Sequence, residues 1–120
     1  MSNQLKIIDK EEQLPELIEY LTGKEYLSYD CETTGVHKGA EVIGFSIAGE
    51  DNIAFYVILK GWNDDLKDLK PFIPFEKAKH IIEILQSKQL IMHNAVFDCH
   101  MAESFFKTRY ASFSQVKVMY

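Results

Sequence analysis

The chain has no apolar stretch approaching the roughly 20 residues that a bilayer-spanning helix needs, so no segment reads as a membrane span. Its first residues, MSNQLKIIDKEE, run acidic instead of basic-then-apolar, which excludes the usual secretory leader pattern and makes the cytoplasm the expected compartment. Cysteine is scarce: Cys31 and Cys99 are too few for a disulfide framework, and no Cys/His spacing supports zinc. A basic patch is also missing. Asp and Glu number 18 against 13 Lys and Arg, the net charge is −5, and Lys67, Lys70, Lys77, Lys79 and Lys88 are scattered among acids. That argues against a surface gripping phosphates through its own cations. It does not exclude an acidic site that meets phosphate through bound metal ions. Repeats, low-complexity runs and Pro/Gly/Ser-rich linkers are absent too, so 120 residues with 47% hydrophobic content read as one globular domain with its own core.

Against these absences the periodicities are clear. Residues 5–8 form a short apolar run of strand type, and residues 11–21 place Leu14, Leu17, Ile18 and Leu21 at helical spacing. Pro15 is tolerated in the first turns of that helix and Gly23 follows as a stop. Strands are expected at 26–30, 42–48 and 53–58, the last two joined as a hairpin through Gly49-Glu50-Asp51-Asn52. Residues 61–74, with Trp62 and two prolines, read as a loop. A helix over 75–86 aligns Ala78, Ile81, Ile82 and Leu85; a short buried strand at 90–93, a helix at 95–106 and the start of a strand at 116–120 complete the order. A hairpin followed by alternating helices and strands implies an α/β fold, a mixed sheet flanked by helices.

Two stretches carry chemistry. In Tyr29-Asp30-Cys31-Glu32-Thr33-Thr34-Gly35, strand alternation puts Asp30 and Glu32 on one face, about 6.5–7 Å apart along the backbone, and turns Cys31 the other way. Two acids at the end of an apolar strand are costly unless solvated, paired or metal-bound. An oxygen-only ligand set suits hard cations such as Mg²⁺ or Mn²⁺, and Gly35 lets the backbone approach a ligand. The plain alternative is a solvated strand end with a glycine turn. In Ile91-Met92-His93-Asn94-Ala95-Val96-Phe97-Asp98, a strand runs into Asn94 and a helix begins, with Asp98 in its first turn. Both residues could simply cap the helix; alternatively Asp98 faces Asp30 and Glu32 and completes a carboxylate cluster.

Together the two stretches resemble the first and second motifs of the DEDD exonuclease superfamily, most closely the 3′–5′ proofreading domain of family A DNA polymerases. The Asp-x-Glu-Thr-Thr-Gly of that family stands at Asp30 to Gly35, and its His-Asn-x-x-Phe-Asp at His93 to Asp98; the spacing to Ala40-Glu41-Val42-Ile43-Gly44-Phe45-Ser46 is similar as well. The resemblance implies an RNase H-like (DnaQ-like exonuclease) fold, C-terminally incomplete at residue 120. It also implies two-metal hydrolysis of the 3′-terminal phosphodiester, with Mg²⁺ or Mn²⁺ held by Asp30, Glu32 and Asp98. Thr33, Val36, His93 and Asn94 would contact substrate, Val36 as an apolar wedge between the last two bases. The partners implied are a single-stranded DNA 3′ end and a downstream polymerase segment, and the compartment is the host cytoplasm should the gene be a phage's. The family's fourth carboxylate, in a late motif, is not reached before Tyr120, so weak or absent activity of the chain alone is expected, as is self-association through uncovered apolar surface. An RNA-trimming exoribonuclease of the same superfamily and a non-catalytic interaction fragment are the competing functions.

Other residues read more plainly. His37 is expected to be a solvated loop residue, and His80 and His100 take no role. His93 fits a substrate groove or a hydrogen-bonded core position equally. Trp62 and Phe72 could stack on bases, but loop aromatics more often cover a core. Cys31 and Cys99 are expected in the core.

Overall fold

A computed structural model describes residues 4–35, 39–92, 95–107 and 116–118. The chain alternates strands and helices: β1 (Gln4–Ile8), α1 (Leu14–Thr22), β2 (Tyr26–Thr33), β3 (Val42–Ala48), β4 (Ile53–Ile58), β5 (Lys60–Asn63), β6 (Asp68–Pro71), α2 (Phe75–Gln86), β7 (Gln89–Met92), α3 (Ala95–Ser104) and β8 (Val116–Val118). Six strands form one mixed sheet in the order β1-β4-β3-β2-β7-β8. The central hairpins are antiparallel, β2 with β3 and β3 with β4, while β1–β4, β2–β7 and β7–β8 run parallel. The expected mixed α/β sheet is therefore the one observed.

Register decides which face is core. Leu27, Tyr29 and Cys31 of β2 lie opposite Ile47 and Phe45 of β3 and beside Leu90 and Met92 of β7, and all are buried. The helices add their apolar stripes to the same cluster: Leu14, Leu17 and Leu21 from α1, Ala78, Ile81, Ile82 and Leu85 from α2, and Met101 and Ala102 from α3, with Phe106 just beyond. The α1 and α2 stripes follow the i, i+3, i+4 spacing that one helix face presents, whereas Met101 and Ala102 of α3 are consecutive. The other face of the sheet carries Ser28, Asp30 and Glu32 on β2, and these are exposed.

Several local features differ from what the residues alone suggest. The first helix is a 3-10 turn over Glu11–Gln13 before α1 begins at Leu14, with Pro15 in the first turn, where its missing N–H is not needed. The Gln13 side chain accepts from the Asp9 and Lys10 main-chain N–H groups at 2.9 and 3.0 Å, which fixes this entry. Gly23 does cap α1, but at φ −94, so it is not required for left-handed backbone there. The turn after β3 instead puts Asn52 at φ 64. Gly49 is needed for space, because a Cβ there would lie 2.2 Å from the Tyr20 hydroxyl oxygen. That hydroxyl donates to Asp51 at 2.8 Å, and Lys24 pairs with the same carboxylate at 2.8 Å, tying the hairpin tip to α1.

The stretch at 61–74 is a correction: it is not a plain loop. β5 and β6 pair there as a second, two-stranded antiparallel sheet, Lys60 opposite Pro71 and Trp62 opposite Leu69. Trp62 does not cover a core either. It is 61% exposed, and its indole N–H donates to Asp64 at 2.8 Å.

The core makes a direct stability prediction. Phe45 has no exposed surface and sits opposite Cys31 in the register. Phe45→Ala should cost about 3–5 kcal/mol, read as a shift of the denaturant midpoint with an unchanged slope. A loss below about 1 kcal/mol, no more than a volume-conserving swap costs, would mean that this face of the sheet is not packed as described.

Candidate active site

β2 brings two acids to the open face because its side chains alternate. Asp30 pairs across the hairpin with Ser46, and Glu32 with Gly44, so neither neighbour crowds the carboxylates. The antiparallel register then shifts between Glu32 and Thr33, a bulge that re-aims the strand end. Beyond it Thr34 and Glu41 exchange main-chain and side-chain bonds, Thr34 N–H to Glu41 O at 2.9 Å and Glu41 N–H to the Thr34 hydroxyl at 3.0 Å. The Thr33 hydroxyl donates to Gly35 O at 2.7 Å, so it is occupied by its own turn.

On its other edge, β2 pairs with β7 only as far as Tyr29–Met92. Among the described residues the segment from Asp30 to Thr33 has no strand partner there, and α3 begins at Ala95. Asp98, in the first turn of α3, fills that position. It is 1% exposed, the one buried charged or polar side chain among the described residues. The Cys31 thiol donates to its Oδ1 at 3.0 Å, while Oδ2 is buried and has no hydrogen-bond partner.

This environment sets the protonation of Asp98. Burial raises its pKa to about 6, with Asp30 and then Glu32 adding repulsion, while the hydrogen bonds from Cys31 act in the opposite sense. The same contact reads consistently from the thiol: burial first, then the Asp98 carboxylate, push Cys31 far above the ordinary thiol range. Cys31 is thus a protonated donor, not a nucleophile. Cys99, next to Asp98, is likewise buried and raised to about 11.

The sequence-derived residues therefore divide. Asp30 and Glu32 share the open face; Asp98 lies at the same strand end, close enough for their charges to act on it, but turned toward Cys31 on the core side. No group of three or more His, Cys, Asp or Glu side chains is drawn together tightly enough to hold a metal ion among the described residues. The chemistry of the donor set still fits a hard cation, since the groups are carboxylates. The unpartnered Asp98 Oδ2 is the kind of orphan oxygen that a cation would satisfy. Val36, His37, His93 and Asn94 lie outside the described residues. Sequence reasoning overlooked the Cys31–Asp98 bond, which spans 67 positions, and it overlooked Tyr56 of β4, which the hairpin register alone would have found opposite Ser46, on the face of Asp30.

Comparison with known proteins bears on the family and the fold. Residues 5–117 match the model of a family described as 3′-5′ exonuclease. No curated protein matches the sequence. Among solved structures, the chain is similar to the catalytic core of RRP6 from Trypanosoma brucei, with a TM-score of 0.69 at 14% identity, over 98% of this chain and 29% of that one. It is similar to the EXO domain of Aedes aegypti Nibbler, with a TM-score of 0.65 at 12% identity, over 98% of this chain and 48% of that one. It is also similar to Trypanosoma brucei RNase D, solved in complex with the RNA U12, with a TM-score of 0.67 at 11% identity, over 89% and 35%. The chain thus spans less than half the length of each of these structures. The fold they share is the RNase H-like one of DEDD exonucleases, a superfamily that generally uses divalent metals.

The raised Asp98 gives a pH dependence with a definite sign. An unfolded Asp titrates near 3.8 and the folded one at about 6. Between those values the folded protein holds the extra proton, so this group's stabilising contribution is fully present below about pH 4 and is lost as pH rises through about 6. Metal-free protein should therefore lose about 2 kcal/mol from this group between pH 4.5 and 7. Asp98→Asn, which keeps an acceptor for Cys31, should flatten that slope. An identical pH profile for the variant and the parent would show that the buried carboxylate is not the group responsible.

Proposed function

The chain belongs to the 3′-5′ exonuclease family, and on that premise we propose that it forms part of a nuclease domain that hydrolyses the terminal phosphodiester of a nucleic-acid strand at Asp30, Glu32 and Asp98. One observation carries the proposal: two exposed acids on the free end of β2 stand beside a third that is buried with an unpartnered oxygen, where no structural need explains it. An orphaned carboxylate in a core costs stability unless function requires it.

Asp30 and Glu32 would hold Mg²⁺ or Mn²⁺ on the open face, with Asp98 as the third ligand. When bound, such ions supply Lewis-acid stabilisation of the phosphate and an activated water. The protein's own part is positional. The strand fixes the spacing of Asp30 and Glu32, and the bulge at Thr33 aims the chain end. Cys31 retains Asp98 beside the site in the metal-free state. Asp98 would offer its unpartnered Oδ2 to an ion while its Oδ1 keeps the thiol bond, and we expect metal affinity and hydrolysis by this chain alone to be weak.

The substrate is a nucleic-acid 3′ end. The motif resemblance favours single-stranded DNA, in a proofreading domain linked to a polymerase segment. The RNA complex of the RNase D neighbour supports an exoribonuclease as the second reading. Self-association belongs to the same proposal, since Leu5 and Ile7 of β1 are 67% and 43% exposed; light scattering over a concentration series would show dimers or larger species if it holds.

The test is metal-dependent. Millimolar Mn²⁺ should raise the melting temperature by a few degrees, since an ion binding only the folded state stabilises it. Asp30→Asn should remove most of that shift. Labelled DNA and RNA strands should shorten slowly from the 3′ end with Mn²⁺, and the stronger substrate decides between the two readings. Absence of any Mn²⁺ effect on melting, together with no Asp30-dependent hydrolysis of either strand, would reject the enzymatic reading.

A further inference from the structure

The open face of the sheet holds one group that the reading above does not use. Tyr56 lies on β4 opposite Ser46, and Ser46 lies opposite Asp30, so the three form a row across the face. The tyrosine does not stand upright in that row. Its hydroxyl oxygen would be 3.5 Å from a Cβ built on Gly44, with a ring carbon at 3.7 Å, so the side chain leans diagonally over Gly44. Gly44 is the cross-strand partner of Glu32. Directly paired residues have Cβ positions about 4.5–5.5 Å apart, which places the phenol within one side chain's reach of Glu32. Gly44 makes room for this: any side chain there would meet Val57 O at 2.8 Å and then the phenol.

The chemistry of the face makes the phenol conspicuous. On β1 to β4 and β7 the positions of this face include no Lys or Arg, Lys117 standing two strands from Asp30 on β8, and Asp30 and Glu32 are acceptors only when ionised. Among the described residues the Tyr56 hydroxyl has no hydrogen-bond partner. Burial first, then the charges of Glu32 and Asp30, raise its pKa, so it stays a neutral donor at any working pH. A phosphate brought to this face needs donors, and the carboxylates cannot provide them.

We propose that Tyr56 is a substrate-contacting residue whose hydroxyl donates a hydrogen bond to the phosphate of the nucleotide held beside Asp30 and Glu32. This deepens the hydrolytic reading and rests on it. The ring of Tyr56 keeps its place over Gly44 whether or not the hydroxyl is present, so Tyr56→Phe isolates the hydrogen bond from the packing.

Thymidine 5′-monophosphate and thymidine are the probes, each titrated calorimetrically in the presence and absence of Mn²⁺, against the parent chain, Tyr56→Phe and Asp30→Asn. A hydrogen bond to a charged group is worth about tenfold or more in affinity. Tyr56→Phe should weaken thymidine 5′-monophosphate binding by about that factor. It should leave Mn²⁺ affinity, thymidine binding and the metal-free melting temperature as in the parent. Equal nucleotide affinity in Tyr56→Phe and the parent overturns the inference and leaves the hydrolytic reading standing. A parallel fall in Mn²⁺ affinity also overturns it, since the phenol would then act on the carboxylates. Failure of the parent to bind Mn²⁺ or nucleotide in an Asp30-dependent way overturns both.

Discussion

A pleated strand sends alternate side chains to opposite faces, and in β2 that constraint governs both the fold and the chemistry. Leu27, Tyr29 and Cys31 are drawn into the core, and with them the register of β3 and β7 is fixed. Ser28, Asp30 and Glu32 are then obliged to face away. A slip of one residue would bury both acids and expose three apolar side chains. Burying two unpaired carboxylates would cost several kcal/mol each, so the core and the acidic face enforce each other. The placement of the acids is a by-product of hydrophobic register and does not depend on any bond they make.

Asp98 is the exception to that economy. A half-satisfied carboxylate in a core is destabilising, and here it titrates at about 6 instead of near 3.8. Local rules are broken most often where function requires it. Among the described residues the pairing of β7 with β2 reaches Met92, and the first turn of α3 brings Asp98 to Cys31, two positions past the last paired residue of β2.

How much of this the residues disclose depends on how local each cause is. The β3–β4 hairpin and helix α2 lie where periodicity and turn chemistry put them, because alternation and the i, i+3, i+4 stripe are read within one element. Pro15 and the Gln13 bonds to Asp9 and Lys10 explain why the first helix opens as a 3-10 turn, a matter of capping that an apolar stripe does not reveal. The β5–β6 hairpin was hidden because neither strand has a buried face: Trp62 is exposed and Leu69 is only half-buried, so no alternation marks it. The sharing of one face by Asp30 and Glu32 follows from spacing alone. The turn of Asp98 toward Cys31 does not, since it needs the end of β7 and a contact between distant parts of the chain.

The electrostatics close the argument. The chain's net charge is −5, and several of its lysines are already engaged: Lys6 with Glu16, Lys24 with Asp51 and Lys60 with Glu41. These are partly exposed pairs worth little for stability, yet each lowers the cationic charge available to a phosphate. A polyanion meeting the open face at β2 to β4 therefore encounters acids and a neutral phenol, with Lys117 two strands away on β8. Lysine-driven nucleic-acid binding releases counterions and falls steeply with salt. On the proposed hydrolytic reading, association at this face is instead gated by divalent cations that convert an acidic surface into a phosphate-binding one. The missing basic patch and the uncovered carboxylates are then one property: the face repels a strand until an ion occupies it.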